Sequence, residues 1–243
     1  MEKRETSQVQ HWPAWQWNEI QHVGTDYADV AEVERYERRM GEFRNLPAED
    51  AAILGRLALP AGSHILEIGT GTGHFARAAA RAGYRVTALD VSPAMLQYAA
   101  DRVKADGLAG IEFCHAGFLT LTAAPVTFDA AVSVAVLHHL PDLWKAVALG
   151  NIHRALKPGG LFLLCDVVFS TQHGDPRWQF EAFIDAVPQS MRDGAIGHIA
   201  REYSTLDWIM EGLLTRAGFA IERIVDSQAP LVQYHCKAAG QSA

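Results

Sequence analysis

The run from His64 to His74, HILEIGTGTGH, constrains this chain more than any other segment. Gly69, Gly71 and Gly73 follow a short apolar stretch, Glu67 stands just before them, and Phe75-Ala-Arg-Ala-Ala-Ala continues as an Ala-rich helical segment. A second apolar run, Tyr84-Arg-Val-Thr-Ala-Leu, ends in Asp90. Strand, glycine turn, helix, strand and acid make a nucleotide-binding βαβ unit. Glycines let the backbone approach a ligand closely, and the acid accepts hydrogen bonds from ribose hydroxyls. A dinucleotide fingerprint would need a third glycine at the position that His74 occupies.

Further blocks follow in order. Asp90-Val-Ser-Pro-Ala-Met-Leu comes directly after the second strand, and Phe128-Asp-Ala-Ala-Val-Ser-Val-Ala-Val-Leu-His-His-Leu-Pro-Asp reads as a later strand and its loop. Arg154-Ala-Leu-Lys-Pro-Gly-Gly-Leu-Phe-Leu-Leu is a turn into another strand. With the spacing E-x-G-x-G-x-G, these blocks resemble the class I (Rossmann-like) S-adenosylmethionine-dependent methyltransferases over roughly residues 60–168, and the small-molecule type in particular. The resemblance implies S-adenosyl-L-methionine as cofactor. It assigns the turn and the methionine end to Glu67, Gly69, Thr70, Gly71 and Gly73, and ribose and adenine to Asp90, Val91 and Met95. Gly117 and Phe118 would follow the third strand, and Val134 and His139 the fourth. Tyr27 would reach the cofactor from an N-terminal lid. One position departs from the pattern: where the family has an Asp that accepts from the adenine amino group, this chain has Gly117 in the run His115-Ala-Gly-Phe-Leu. An adenine contact is therefore expected to be missing or supplied by water.

Composition narrows the partners. A chain of 243 residues with 49% hydrophobic content can bury one sizeable core. The net charge of −7 and the lack of any Lys/Arg run leave no basic footprint for nucleic acid. Cys114, Cys165 and Cys236 are far apart, which reads as reduced thiols of a cytoplasmic protein and gives no metal-ligand spacing. No apolar stretch long enough to span a membrane occurs. Monomer and homodimer both remain open.

Alternating patterns predict strands near 64–68, 84–90, 111–115, 128–134 and 160–168, with helices near 73–82, 93–106 and 142–156. That implies an α/β, doubly wound, mostly parallel seven-stranded sheet, and the family resemblance adds an antiparallel last strand. Residues 1–58 form an N-terminal helical lid segment. Within it, Val30, Val33, Tyr36, Met40 and Phe43 fall at helical spacing, and Trp12, Trp15 and Trp17 have no clear period. The cofactor-binding core covers 59–168, an insert over the substrate pocket covers 169–204, and 205–243 holds a helix and a closing hairpin, all within one domain. Ser204 is expected to cap a helix starting at Thr205, with Asp207 at the capping-box position.

Methyl transfer from a sulfonium needs alignment, desolvation and, for some nucleophiles, a base. His138 and His139 at the mouth of the fourth strand are the candidate bases; pocket lining and loop packing are the plainer roles. Neither has further partners at metal-ligand spacing. Tyr36 is a candidate substrate or cofactor contact, though it also lies on the apolar stripe. Trp208 stands off the stripe of its helix, so it faces solvent, which is uncommon, or packs on the insert or on a substrate. His198 and Tyr203, with Arg201, could read a polar substrate or simply cap a loop. The expected activity is methyl transfer to a small-molecule O, N or S nucleophile. The alternatives are a protein or RNA methyltransferase and a non-catalytic cofactor-binding regulator.

Overall fold

The computed structural model describes residues 13–21, 30–172, 174–228 and 231–240. Tyr27, Trp12 and His173 lie outside the described residues. Helices α1 (Val30–Phe43) and α2 (Leu46–Leu57) precede strand β1 (His64–Ile68). Then α3 (His74–Arg81), β2 (Arg85–Asp90), α4 (Pro93–Ala105) and β3 (Ile111–His115) alternate, followed by β4 (Phe128–Val134), α5 (Asp142–Ala155) and β5 (Leu156–Phe169). The insert contributes α6 (Arg177–Ala186) and α7 (Arg192–Arg201), and the chain closes with β6 (Thr205–Leu206), α8 (Asp207–Arg216), β7 (Phe219–Gln228) and β8 (Leu231–Ala238).

The sheet order is β3-β2-β1-β4-β5-β8-β7, with β6 paired to β5 off this path, giving eight strands rather than seven. The additional one is the two-residue β6, too short to show an alternating pattern in sequence. β1 to β5 run parallel, and β8 is antiparallel to both of its neighbours, β5 and β7.

Alternation along the strands explains why both faces are covered. Ile65, Ala130, Val132, Leu163 and Cys165 pack in one layer with Ile53 and Leu57 of α2 and Phe75 and Ala79 of α3. Their neighbours Leu66, Ile68, Ala131, Phe162 and Leu164 point the other way, onto Leu149 and Ile152 of α5 and Met210 and Leu214 of α8. Helix starts follow local chemistry: Ser92 Oγ accepts from Met95 N ahead of α4, and Asn45 accepts from Ala48 N ahead of α2.

Two local expectations change. Thr205 and Leu206 pair with Val168 and Phe169, so α8 starts at Asp207 without a side-chain cap. Ser204 instead bonds His198, its Oγ lying 2.7 Å from Nε2. The expected start at 160 for β5 also moves back to Leu156, across an irregularity opposite Phe128–Ala130.

Candidate cofactor and active site

Parallel strands deliver their carboxyl ends to one edge of the sheet, and loops there form the ligand crevice of open α/β folds. After β1 the chain turns through Gly69, Gly71 and Gly73, all in the left-handed region at φ +77°, +53° and +73°. The three are not equivalent. A Cβ at Gly69 would lie 2.2 Å from Val136 Cγ2, and one at Gly73 would lie 2.8 Å from Ala99 Cβ, so these positions are closed by packing. Gly71 has nothing within 4 Å, which leaves its backbone facing open space. Its N–H donates to Asp90 Oδ2 at 2.8 Å, and Ser92 N–H donates to Oδ1 at 2.8 Å. The acid at the end of β2 is thereby fixed beside the turn.

These groups share one cavity of about 960 Å³, counted out to its open mouth. Gly69, Gly71, Asp90, Val91, Met95, Gly117, Phe118, Val134 and His139 all line it, as does Tyr36 from α1. Glu67 and Thr70 face an adjoining hollow with Arg44 and Tyr36. Thr70 Oγ1 donates to Glu67 Oε2 at 2.7 Å. Burial raises the Glu67 carboxyl to about 8 against the Thr70 hydrogen bond, and the nearby Asp50 and Asp90 push the same way. Gly73 lines neither hollow; it seats α3 against Ala99.

Glu19, which nothing in the sequence pattern singled out, also lines the cavity. It comes from the N-terminal segment and reaches the turn after β3. Its Oε1 accepts from Leu119 N at 2.9 Å, Thr120 N at 2.8 Å and Thr120 Oγ1 at 2.8 Å. Burial raises its carboxyl above the ordinary value, and these donors offset only part of that.

The two histidines of the loop after β4 have different surroundings. His138 is buried and His139 faces the cavity. His138 Nδ1 lies 2.5 Å from Asp166 Oδ1, and Nε2 lies 3.3 Å from Glu202 Oε2. Burial opposes charging of His138, but Asp166 and then Glu202 outweigh it and hold the imidazole up to about 9. Burial, followed by the charge on His138, holds His139 down to about 4. The rings lie 4.4 Å apart between centroids. A cationic imidazole therefore stands behind a neutral one. His138, His139 and Glu202 present ligand atoms within 4.8 Å of one another. Because His138 gives one nitrogen to each of two carboxylates, it is an imidazolium, which has no lone pair for a metal.

His198 and Tyr203 stand behind this pair rather than in the cavity. His198 Nδ1 meets Glu202 Oε2 at 2.5 Å, and Tyr203 N donates to the His138 carbonyl at 2.8 Å. The buried Lys145 donates to the Tyr203 carbonyl and to Asp142. Trp17 packs edge-on against the Tyr203 ring, and Trp15 stacks on Trp144. Trp208 is 62% exposed and lies outside the cavity.

Comparison with known proteins agrees with this layout. A family model described as a methyltransferase domain matches residues 65–160. An uncharacterized methyltransferase of Geobacillus kaustophilus is 28% identical over 207 residues, 82% of this chain and 91% of that protein. An S-adenosyl-L-methionine-dependent Diels-Alderase of Talaromyces variabilis is 32% identical over 200 residues, 78% of this chain and 65% of that protein. Among solved structures, phosphoethanolamine N-methyltransferase 2 of Haemonchus contortus in complex with S-adenosyl-L-methionine superposes with a TM-score of 0.71 at 19% identity, covering 95% of this chain and 62% of that one. An open glycine turn tied to an acid, in a chain with these relatives, places it in the class I S-adenosylmethionine-dependent methyltransferases, with S-adenosylmethionine as its cofactor.

Proposed function

We propose that the protein transfers a methyl group from S-adenosylmethionine to an O, N or S nucleophile of a small molecule. The observation that carries this reading is the shared cavity. Glu19, Gln21 and Tyr36 of the N-terminal segment wall the same chamber as the glycine turn and His139. The acidic chain, with no basic tract, disfavours a nucleic-acid acceptor.

When bound, the cofactor supplies a methyl group already activated by a sulfonium. The chain's own residues then hold and orient. Asp90 takes the ribose hydroxyls, the Gly71 backbone allows close approach, and Glu67 receives the ligand's ammonium. His139 stays neutral and weakly basic, so it suits a hydrogen-bond acceptor that aims an N–H or O–H nucleophile better than a strong base. His138 is a positioning residue: burial first, and then the charge on His138, keep the His139 ring neutral. Free thiols at Cys114, Cys165 and Cys236 fit a reducing cytoplasm.

The test is to titrate S-adenosylmethionine and S-adenosylhomocysteine into wild type and Asp90→Ala, then incubate wild type with thiols, phenols and amines. Binding lost in the variant, with methylated product and S-adenosylhomocysteine formed together, supports the reading. Turnover that leaves S-adenosylmethionine intact favours the second reading, a cofactor-dependent protein that does not methylate; the Talaromyces relative, by its name a Diels-Alderase, motivates that arm.

A further inference from the structure

The turn after β3 lacks a side chain at Gly117, yet the space is not empty. A Cβ there would lie 2.5 Å from both Cδ and Oε2 of Glu19. The carboxylate is held by the turn itself. Oε1 takes the Thr120 amide and hydroxyl and shares the Leu119 amide with Oε2, which lies 3.0 Å from that nitrogen. A carboxylate oxygen has two lone-pair directions and the Leu119 amide takes one on Oε2, so Glu19, which lines the cavity, keeps acceptor capacity beyond the turn.

The rest of the cavity fixes what would meet that acceptor. Asp90 stands at the end of β2, lines the cavity and accepts from the Gly71 and Ser92 amides, and β3 lies at the sheet edge beside β2. Val91 and Phe118 give apolar walls on either side of the step from β2 to β3. A flat base on a ribose held by Asp90 would lie between these walls, in the same cavity that Glu19 lines. A buried acceptor there matches a ring amino group and opposes a ring carbonyl, because two acceptors brought together leave both unpaired.

We propose that Glu19 is the base-reading residue of the cofactor site, accepting from the exocyclic amino group of adenine in place of the side chain absent at Gly117. The residue reaches its post from a segment about a hundred positions earlier in the chain. The contacts that dock Glu19 on the turn after β3 also place its carboxyl at the base. The inference rests on the cofactor assignment.

The experiment titrates S-adenosylhomocysteine and its deaminated analogue S-inosylhomocysteine into wild type, Glu19→Ala and Glu19→Gln, each checked for cooperative thermal unfolding. Wild type is expected to prefer the adenosyl ligand by about tenfold or more. Glu19→Ala should lose about tenfold for the adenosyl ligand and little for the inosyl one. Glu19→Gln can turn its NH₂ toward a carbonyl, so it should narrow or invert the preference. Equal loss for both ligands in Glu19→Ala, or no loss for either, overturns the inference and leaves Glu19 as a strut for the β3 turn. Wild type that binds neither ligand overturns the cofactor assignment itself, an outcome separate from both.

Discussion

Glu19 Oε2 lies 2.5 Å from the point where any side chain at Gly117 would begin. The two positions therefore compete for one volume, and the glycine is a condition for the N-terminal segment to dock. Gly117→Asp places a second carboxylate on the first and crowds Val91 Cγ1, 2.8 Å from the same point. Overpacking of this kind costs about 1–3 kcal/mol. We expect a lower melting temperature and faster proteolysis within residues 13–21. In a Glu19→Ala background the added penalty should shrink, and a double-mutant cycle with no coupling would refute the competition.

The glycine turn should respond unevenly to alanine. Gly69→Ala drives a methyl into Val136, whose Cγ2 lies 2.2 Å from the new atom, so the fold itself should suffer. Gly71→Ala meets no neighbour within 4 Å and bears only the strain of its φ of +53°, about 1–2 kcal/mol. It should fold, with a melting temperature only about 2–8 °C below wild type, and still lose cofactor binding because the methyl projects into the open space where the ligand would lie. Calorimetry and thermal denaturation on both variants separate the cases; normal binding by Gly71→Ala would remove this backbone from the site.

The buried His138 makes stability depend on pH in a definite direction. Its folded value near 9 lies above the ordinary value, so its contribution is complete below about 6.5 and is lost as pH rises through about 9. The groups facing it are Asp166 on β5, Glu202 and His198 at the end of the insert, and His139 beside it. Asp166 is depressed, its burial outweighed by His138, so its contribution is present at neutral pH and is lost in acid. The melting temperature should therefore fall from pH 7 to pH 9.5. Asp166→Asn should cost about 3 kcal/mol at pH 7 and flatten that alkaline decline. An unchanged slope in the variant would show that other groups govern it.

How much of this was legible beforehand depended on whether the cause was local. Gly69, Gly71 and Asp90 are neighbours within one βαβ unit, and their chemistry sits in adjacent sequence, so both the strands and the cavity wall followed from the pattern. The missing side chain at Gly117 was visible too, but its replacement was not. Glu19 acts through contacts a hundred positions away, and its own neighbours have no periodicity. The roles of His138 and His139 were also inseparable in sequence; only the Asp166 and Glu202 contacts show which ring is buried and charged. Likewise Ser204 matched a helix-cap signature, but pairing of Thr205 with Val168 claimed the backbone that the cap required. Tertiary partners decided each of these positions.

Glu67 should couple cofactor binding to proton release. Burial, with Asp50 and Asp90 nearby, keeps its carboxyl at about 8, so it is largely protonated at pH 7 in the free protein. A cationic ligand beside it favours the charged form and lowers that value, which expels the proton on binding. Affinity for S-adenosylmethionine should then rise as pH approaches about 8 and gain nothing from this group above it. Binding enthalpies measured at pH 7 in two buffers of different ionisation heat should differ by close to one proton's worth for wild type. Glu67→Gln cannot ionise and keeps the Thr70 hydroxyl partnered, so its binding enthalpy should not depend on the buffer. If Glu67→Gln shows the same buffer dependence as wild type, the proton comes from elsewhere and Glu67 does not meet the ligand's charge.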